Sequence, residues 1–246
     1  NGFMELPLVG MILGSISAVL LPVFSGMDKG DGMSNETLVV WNSALLKSAK
    51  LIFPMLIFSV FFAEPIMTCM YGDIYAQSSI YFVIKNLSGL FYIIPFYPII
   101  LAIGKTNFYA NAHMIAAFMI VMAEYVVCKT FDSAVYVAIT SELCKLFKIW
   151  LLLRVIANYA HKKITELLPP RPMTILIMIS VLASLPPFLL LDFLNMNKFI
   201  VLFVCLGFFL VDYYVLCWIC KVTYRDIAGG FLKNKSRLNA VVKILP

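Results

Sequence analysis

The chain reads as long apolar stretches cut by short polar ones. Runs at about 5–24, 39–63, 78–103, 110–131, 134–158, 172–191 and 197–220 are each long enough to cross a bilayer core, which takes about 20 apolar residues wound as a helix. Barrel strands would be about half as long and would alternate in polarity. Irregular backbone cannot face lipid. The pattern therefore predicts an all-α membrane protein with seven transmembrane helices over residues 1–220, followed by a basic tail at 221–246.

Two kinds of residue interrupt these runs. Prolines stand inside the second span (Pro54), the third (Pro95 and Pro98) and near the end of the sixth (Pro186 and Pro187). Each frees a backbone carbonyl and bends its helix, which a membrane accepts only where protein or water satisfies the group. Simple kinks and broken helices that line a path both fit. Charges are the second interruption. In Ser141-Glu142-Leu143-Cys144-Lys145-Leu146-Phe147-Lys148-Ile149 three ionisable side chains fall within the fifth span. Each costs roughly 2.5–3.5 kcal/mol to insert at mid-depth, so such groups usually face a bundle interior or a wet path.

The same arrangement occurs in the second span. Ser43-Ala44-Leu45-Leu46-Lys47-Ser48-Ala49-Lys50-Leu51 shares with it the pattern Ser-x-Leu-x-Lys-x-x-Lys-aliphatic, 98 positions earlier. Chance is the simplest account of so short a match. With seven crossings, the loops at 25–38, 104–109 and 159–171 share a face with the tail, and that face carries eleven Lys and Arg residues. The opposite face carries only Lys129 and Lys198. The excess of basic residues marks the cytosolic side, which puts the N-terminus in the lumen and the C-terminus in the cytosol. The second and fifth spans then run in opposite directions. Spans one to three and four to six read as two inverted three-helix repeats plus one extra helix, a plan that places a solute or ion site between the halves.

Composition agrees with this reading. Hydrophobic residues make up 62% and charged ones 13%, with a mean hydropathy of +0.94, outside the balance of a soluble domain. The net charge of +6 matters less than where the lysines fall. Six scattered cysteines read as packing residues. The first run lacks the basic start and cleavage site of a signal peptide, so it counts as a span. The glycosylation triplets at Asn35, Asn86 and Asn234 fall on the cytosolic face or inside a span. Below the last span, the basic tail suits anionic lipid or simply sets the topology.

Nothing points to an enzyme, a metal, a cofactor or a nucleic-acid partner. His113 and His161 are the only histidines, and there is no phosphate-binding glycine loop. The intramembrane charges remain. Glu142 and Lys145 lie one helical turn apart and can neutralise each other, whereas Lys148 and Arg154 have no such local partner. Glu124 in the fourth span and Asp212 in the seventh are the interhelical candidates. The pore or gating candidates are therefore Lys47, Lys50, Glu124, Glu142, Lys145, Lys148 and Asp212, and the helix-kink candidates are Pro54, Pro95 and Pro98. A pairing network that only holds the bundle together and a polar path both fit. Under the second reading, Lys148 and Lys50 face the path and Lys145 is mainly structural.

At Glu64-Pro65, at Met122-Ala123-Glu124-Tyr125-Val126-Val127-Cys128-Lys129 and in the last span, the chain resembles the trimeric intracellular cation channel family. The order and spacing of the spans follow that family too. The resemblance implies two inverted repeats plus one helix, a homotrimer with a pore in each protomer, and residence in the endoplasmic or sarcoplasmic reticulum and nuclear membrane. It also implies potassium flow that balances calcium release. Family members carry a Lys-Glu-Val motif where this chain has Ala123-Glu124-Tyr125, and an arginine where it has Val127. They carry glycine kinks where it has Phe53-Pro54 and the Leu151 region. The resemblance thus implies weakened phosphoinositide binding, with Lys129 the remaining lipid-contact candidate. Two other classes fit the same pattern: a secondary transporter of a small solute, and a non-conducting structural subunit.

Overall fold

A computed structural model describes residues 6–26, 33–191, 197–222 and 224. Nearly all of the described chain is helical. The helices are α1 (Pro7–Ser25), α2 (Asn35–Phe61), α3 (Ala63–Tyr71), α4 (Ser79–Gly89), α5 (Phe96–Ala102), α6 (Thr106–Thr130), α7 (Ala134–Ala160), α8 (Ile164–Leu167), α9 (Pro170–Leu190) and α10 (Lys198–Ile219). A 3₁₀ turn at Asp73–Ser78 joins α3 to α4. Among the described residues, five helices are long and apolar enough to cross a membrane: α1, α2, α6, α9 and α10. The protein is an all-helical, multi-pass membrane protein.

The other two expected spans are built differently. The fifth is α7, a helix of 27 residues whose apolar run is broken by Glu142, Lys145, Lys148 and Arg154. The third is two short helices, α4 and α5, with turns between them. Pro95 and Pro98 account for that break. Neither can donate a backbone N–H, and Pro95 turns Ile94 away from helical geometry. The freed Ile94 carbonyl instead accepts the N–H of Phe96 at 2.9 Å.

Pro54 acts otherwise. α2 runs through it unbroken, leaving the Lys50 carbonyl without its usual helical donor. Tyr224, just past the end of α10, fills the place: its hydroxyl donates to that carbonyl at 3.1 Å and lies 2.5 Å from the Tyr213 hydroxyl. Burial pushes the Tyr224 phenol up to about 12, although a phenol carries the proton for this bond near neutral pH even at its ordinary value. The expected tail beyond Tyr224, with its Gly229-Gly230 and basic residues, lies outside the described residues.

Two clusters hold the bundle. In the larger, Trp41, Leu45, Ile52 and Phe53 of α2 meet Leu20 and Phe24 of α1, Ile99 and Ile100 of α5, and Leu152 and Ile156 of α7. In the second, Phe58 and Phe62 pack on Ile179 and Ala183 of α9 and on Cys205, Phe209 and Tyr213 of α10. Phe58 stacks on Phe62 at 4.4 Å and tilts against Phe209 at 5.1 Å. Ser180, Ala183 and Ser184 are fully buried on α9, and side chains this small let helices approach closely. α9, the last helix of the second set, lies along α2 and α10, whereas α6 pairs with α7.

Two polar contacts link segments that the hydropathy pattern puts at a common end. The Lys162 ammonium donates to the Asn35 side chain at 3.5 Å, and Lys198 pairs with Asp73.

Candidate functional site

Two lysines of the apolar runs, Lys85 and Lys145, converge on one carboxylate. Glu142 lies on α7 with only 4% of its surface exposed. One of its oxygens accepts Lys145 Nζ at 2.7 Å, with Lys85 Nζ of α4 at 3.7 Å. The other accepts the Ser88 hydroxyl at 2.5 Å and faces the Tyr92 hydroxyl at 3.5 Å. A buried carboxylate is tolerable only when its oxygens are paired and hydrogen-bonded. Here the donors come from three places: α7 itself, α4, and the turn that the proline break creates after α4.

Beside this hub lies a cavity of about 400 Å³, lined by Leu6, Val9, Gly10 and Leu13 at the start of α1, Leu56 of α2, Lys85, Asn86 and Gly89 of α4, Tyr92, and Lys145 and Lys148 of α7. Its walls differ. The α1 and α2 side is aliphatic, and the α4 and α7 side includes three lysines, two of which turn their ammonium groups to Glu142. Lys145 is eleven residues into α7, so at 1.5 Å per residue it sits roughly 17 Å from that helix end. Close packing shapes the floor. A β-carbon at Gly89 would meet Leu56 Cδ1 at 3.3 Å, so the bare backbone there lets α4 lie against α2.

Lys148 differs from its two neighbours. It is half-buried and lines the cavity, and among the described residues no carboxylate comes within salt-bridge distance of it. Lys85 and Lys145, by contrast, share Glu142.

The other candidates fall elsewhere. Lys50 does not join Lys148; its ammonium lies over the Tyr224 ring, 5.8 Å from the centroid. Lys47 is half-buried on α2 and takes no part in the cavity. The two halves of the Ser-x-Leu-x-Lys-x-x-Lys pattern thus occupy unlike surroundings. Glu124 accepts the Ser141 hydroxyl and does not pair with Lys148. Asp212 is half-buried on α10. Arg154 stacks over Trp150 at 5.2 Å and Lys129 over Tyr125 at 4.8 Å, both exposed at the periphery. Lys145 combines two placements, pairing with Glu142 and lining the cavity.

Sequence reasoning missed Ser88, Asn86 and Tyr92, and it left Lys85 without a role. A lysine followed at one-turn spacing by a serine, just before a proline-broken stretch, was the available signal. Nothing local tied it to Glu142, more than fifty positions away.

Comparison with known proteins bears on the fold. No protein-family description matches the chain, and no curated protein does. Among solved structures, "Lipid II flippase MurJ, inward closed conformation" is similar with a TM-score of 0.59 at 17% identity, over 89% of this chain and 45% of that one. The likeness is one of fold. The chain spans less than half the length of that flippase.

Proposed function

We propose that this protein is a membrane transporter for an amphiphile with an anionic, phosphate-class headgroup. The observation that carries the reading is the cavity: Lys148 has no acidic partner among the described residues, Lys85 and Lys145 stand beside it, and an aliphatic wall faces all three. Charge without a counter-ion at mid-depth is expensive. It is sustained where water or an anionic ligand enters. A headgroup held by ammonium groups, with its hydrocarbon along Leu6, Val9 and Leu13, matches both walls, whereas a small soluble anion leaves the apolar wall unused. The flippase-like fold is that of a protein named for moving a lipid, which supports the same direction. Of the classes open from the sequence, this is a form of the secondary transporter.

The potassium-channel reading, with its homotrimer and its residence in the reticulum and nuclear membrane, remains the rival. Three ammonium groups along a pore would oppose potassium entry, and for that reason we place it second.

The test uses the full chain in proteoliposomes. Fluorescent phosphatidic acid should cross between leaflets faster than in empty liposomes, and fluorescent phosphatidylcholine should not. Lys148→Gln should slow the movement about tenfold, the loss of one charge-assisted contact worth on the order of 1.4 kcal/mol, while leaving the melting temperature in detergent nearly unchanged. Equal rates for both lipids would overturn the proposal. A steady current in a planar bilayer bathed only in potassium chloride would return the reading to the channel.

A further inference from the structure

The cavity has an anion of the protein's own directly behind its lining. Glu142 sits behind the lining rather than in it, and takes its two ammonium groups from side chains that do line the cavity, Lys85 and Lys145. Those are long, flexible side chains with several rotatable bonds. The donors on its second oxygen have fewer rotatable bonds: Ser88 on α4 at 2.5 Å, whose hydroxyl also lies 2.9 Å from the Lys85 carbonyl, and Tyr92 at 3.5 Å. The carboxylate therefore retains two hydroxyl donors if both ammonium groups swing away. Hydrogen bonds to the charged form keep a buried carboxylate acceptable.

From this geometry we infer that Glu142 is an internal counter-anion, which holds Lys85 and Lys145 while the cavity is empty and which a phosphate-class headgroup displaces on binding. The inference rests on the proposed function and adds to it how the empty carrier is kept viable. Binding replaces one anion by another between the same two helices. In the empty state the tie between α4 and α7 runs through Glu142. In the loaded state it runs through the headgroup, reached by Lys85 from α4 and by Lys145 and Lys148 from α7. Lys148, outside the Glu142 cluster, makes the first attraction. Affinity is then the difference between the lysines' attraction to the headgroup and to Glu142, and the carboxylate lowers affinity in order to allow release.

Calorimetric titration of the full chain in detergent tests this, with short-chain phosphatidic acid, inorganic phosphate and short-chain phosphatidylcholine as probes. Phosphatidic acid should bind, phosphate should bind more weakly, and phosphatidylcholine should give no heat. Glu142→Gln keeps the size and the Ser88 contact but removes the competitor, so affinity for phosphatidic acid should rise about tenfold. A merely structural role would lower affinity or leave it unchanged. The double variant Ser88→Ala with Tyr92→Phe should act in the opposite sense, weakening binding several-fold because the carboxylate then releases its lysines less readily. If Glu142→Gln does not fold, this variant decides: unchanged or tighter binding overturns the inference. Lys148-dependent binding that Glu142→Gln leaves unchanged or weakens also overturns it, with the transport reading intact. Phosphate binding as tightly as phosphatidic acid would identify free phosphate as the source and remove the lipid from the proposal. Absence of phosphatidic acid binding in both the native chain and Glu142→Gln would remove the transport reading and the inference together.

Discussion

Where α9 meets α2 and α10, the serines of α9 are closed within their own helix: Ser180 donates to the Leu176 carbonyl at 2.7 Å and Ser184 to the Ser180 carbonyl at 2.8 Å. Around the cavity between α1, α4 and α7, polar groups also close between helices, with Ser88 and Lys85 reaching Glu142 across more than fifty positions. The first contact is lined by rings and small side chains with little freedom. The second is lined by lysines that keep theirs. Both lie in one bundle and answer to one bilayer. The difference teaches that the aromatic packing and the cavity occupy separate faces of α2: Phe58 serves the packed side, and Leu56, two positions earlier, lines the cavity.

The comparison breaks if the two regions prove to be coupled. Phe62 is fully buried, stacked on Phe58 and edge-on to Phe188. Phe62→Ala should cost about 3–5 kcal/mol through the cavity it leaves, seen as a large drop in melting temperature in detergent. Phosphatidic acid affinity, measured on the folded fraction, should not change. A matching loss of affinity would show that the aromatic contact holds the cavity's shape.

A middle-sized effect is expected where the regions touch. Gly89→Val drives methyl groups into Leu56, already 3.3 Å from an added β-carbon. Overpacking of this kind costs about 1–3 kcal/mol. Here it should also separate α4 from α2 and weaken headgroup binding. Reduced stability with unaltered binding would mean that the close approach is only structural.

The smallest effect sharpens the packed side. Tyr224→Phe removes the donor that occupies the carbonyl freed by Pro54, a net loss of about 1 kcal/mol. Adding Pro54→Ala restores a backbone donor for Lys50, so the double variant should melt closer to the native chain than Tyr224→Phe does. Additive losses would show that Tyr224 is held by its ring contacts with Lys50 and Tyr213 instead of by the carbonyl.

The long helices were legible in the sequence because they arise locally. About twenty apolar residues in a row have few alternatives in a bilayer. The prolines marked where helices could bend or break, but not which: the third span breaks before Pro95, while α2 and α9 run through Pro54, Pro186 and Pro187. The Glu142–Lys145 contact was legible for the same reason, since three positions make one helical turn. Tertiary structure decided what the charges meet. Lys50 and Lys148 stand at matching places in a repeated pattern, yet one faces a tyrosine ring and the other a cavity, because Tyr224, past the end of α10, reaches α2, whereas α1 and α4 lie beside Lys148. Lys85, Ser88 and Tyr92 reach Glu142 only once the broken third span folds against α7. The pairing of charges depends on distances of a few ångströms in space, and a linear pattern carries no record of distance between helices.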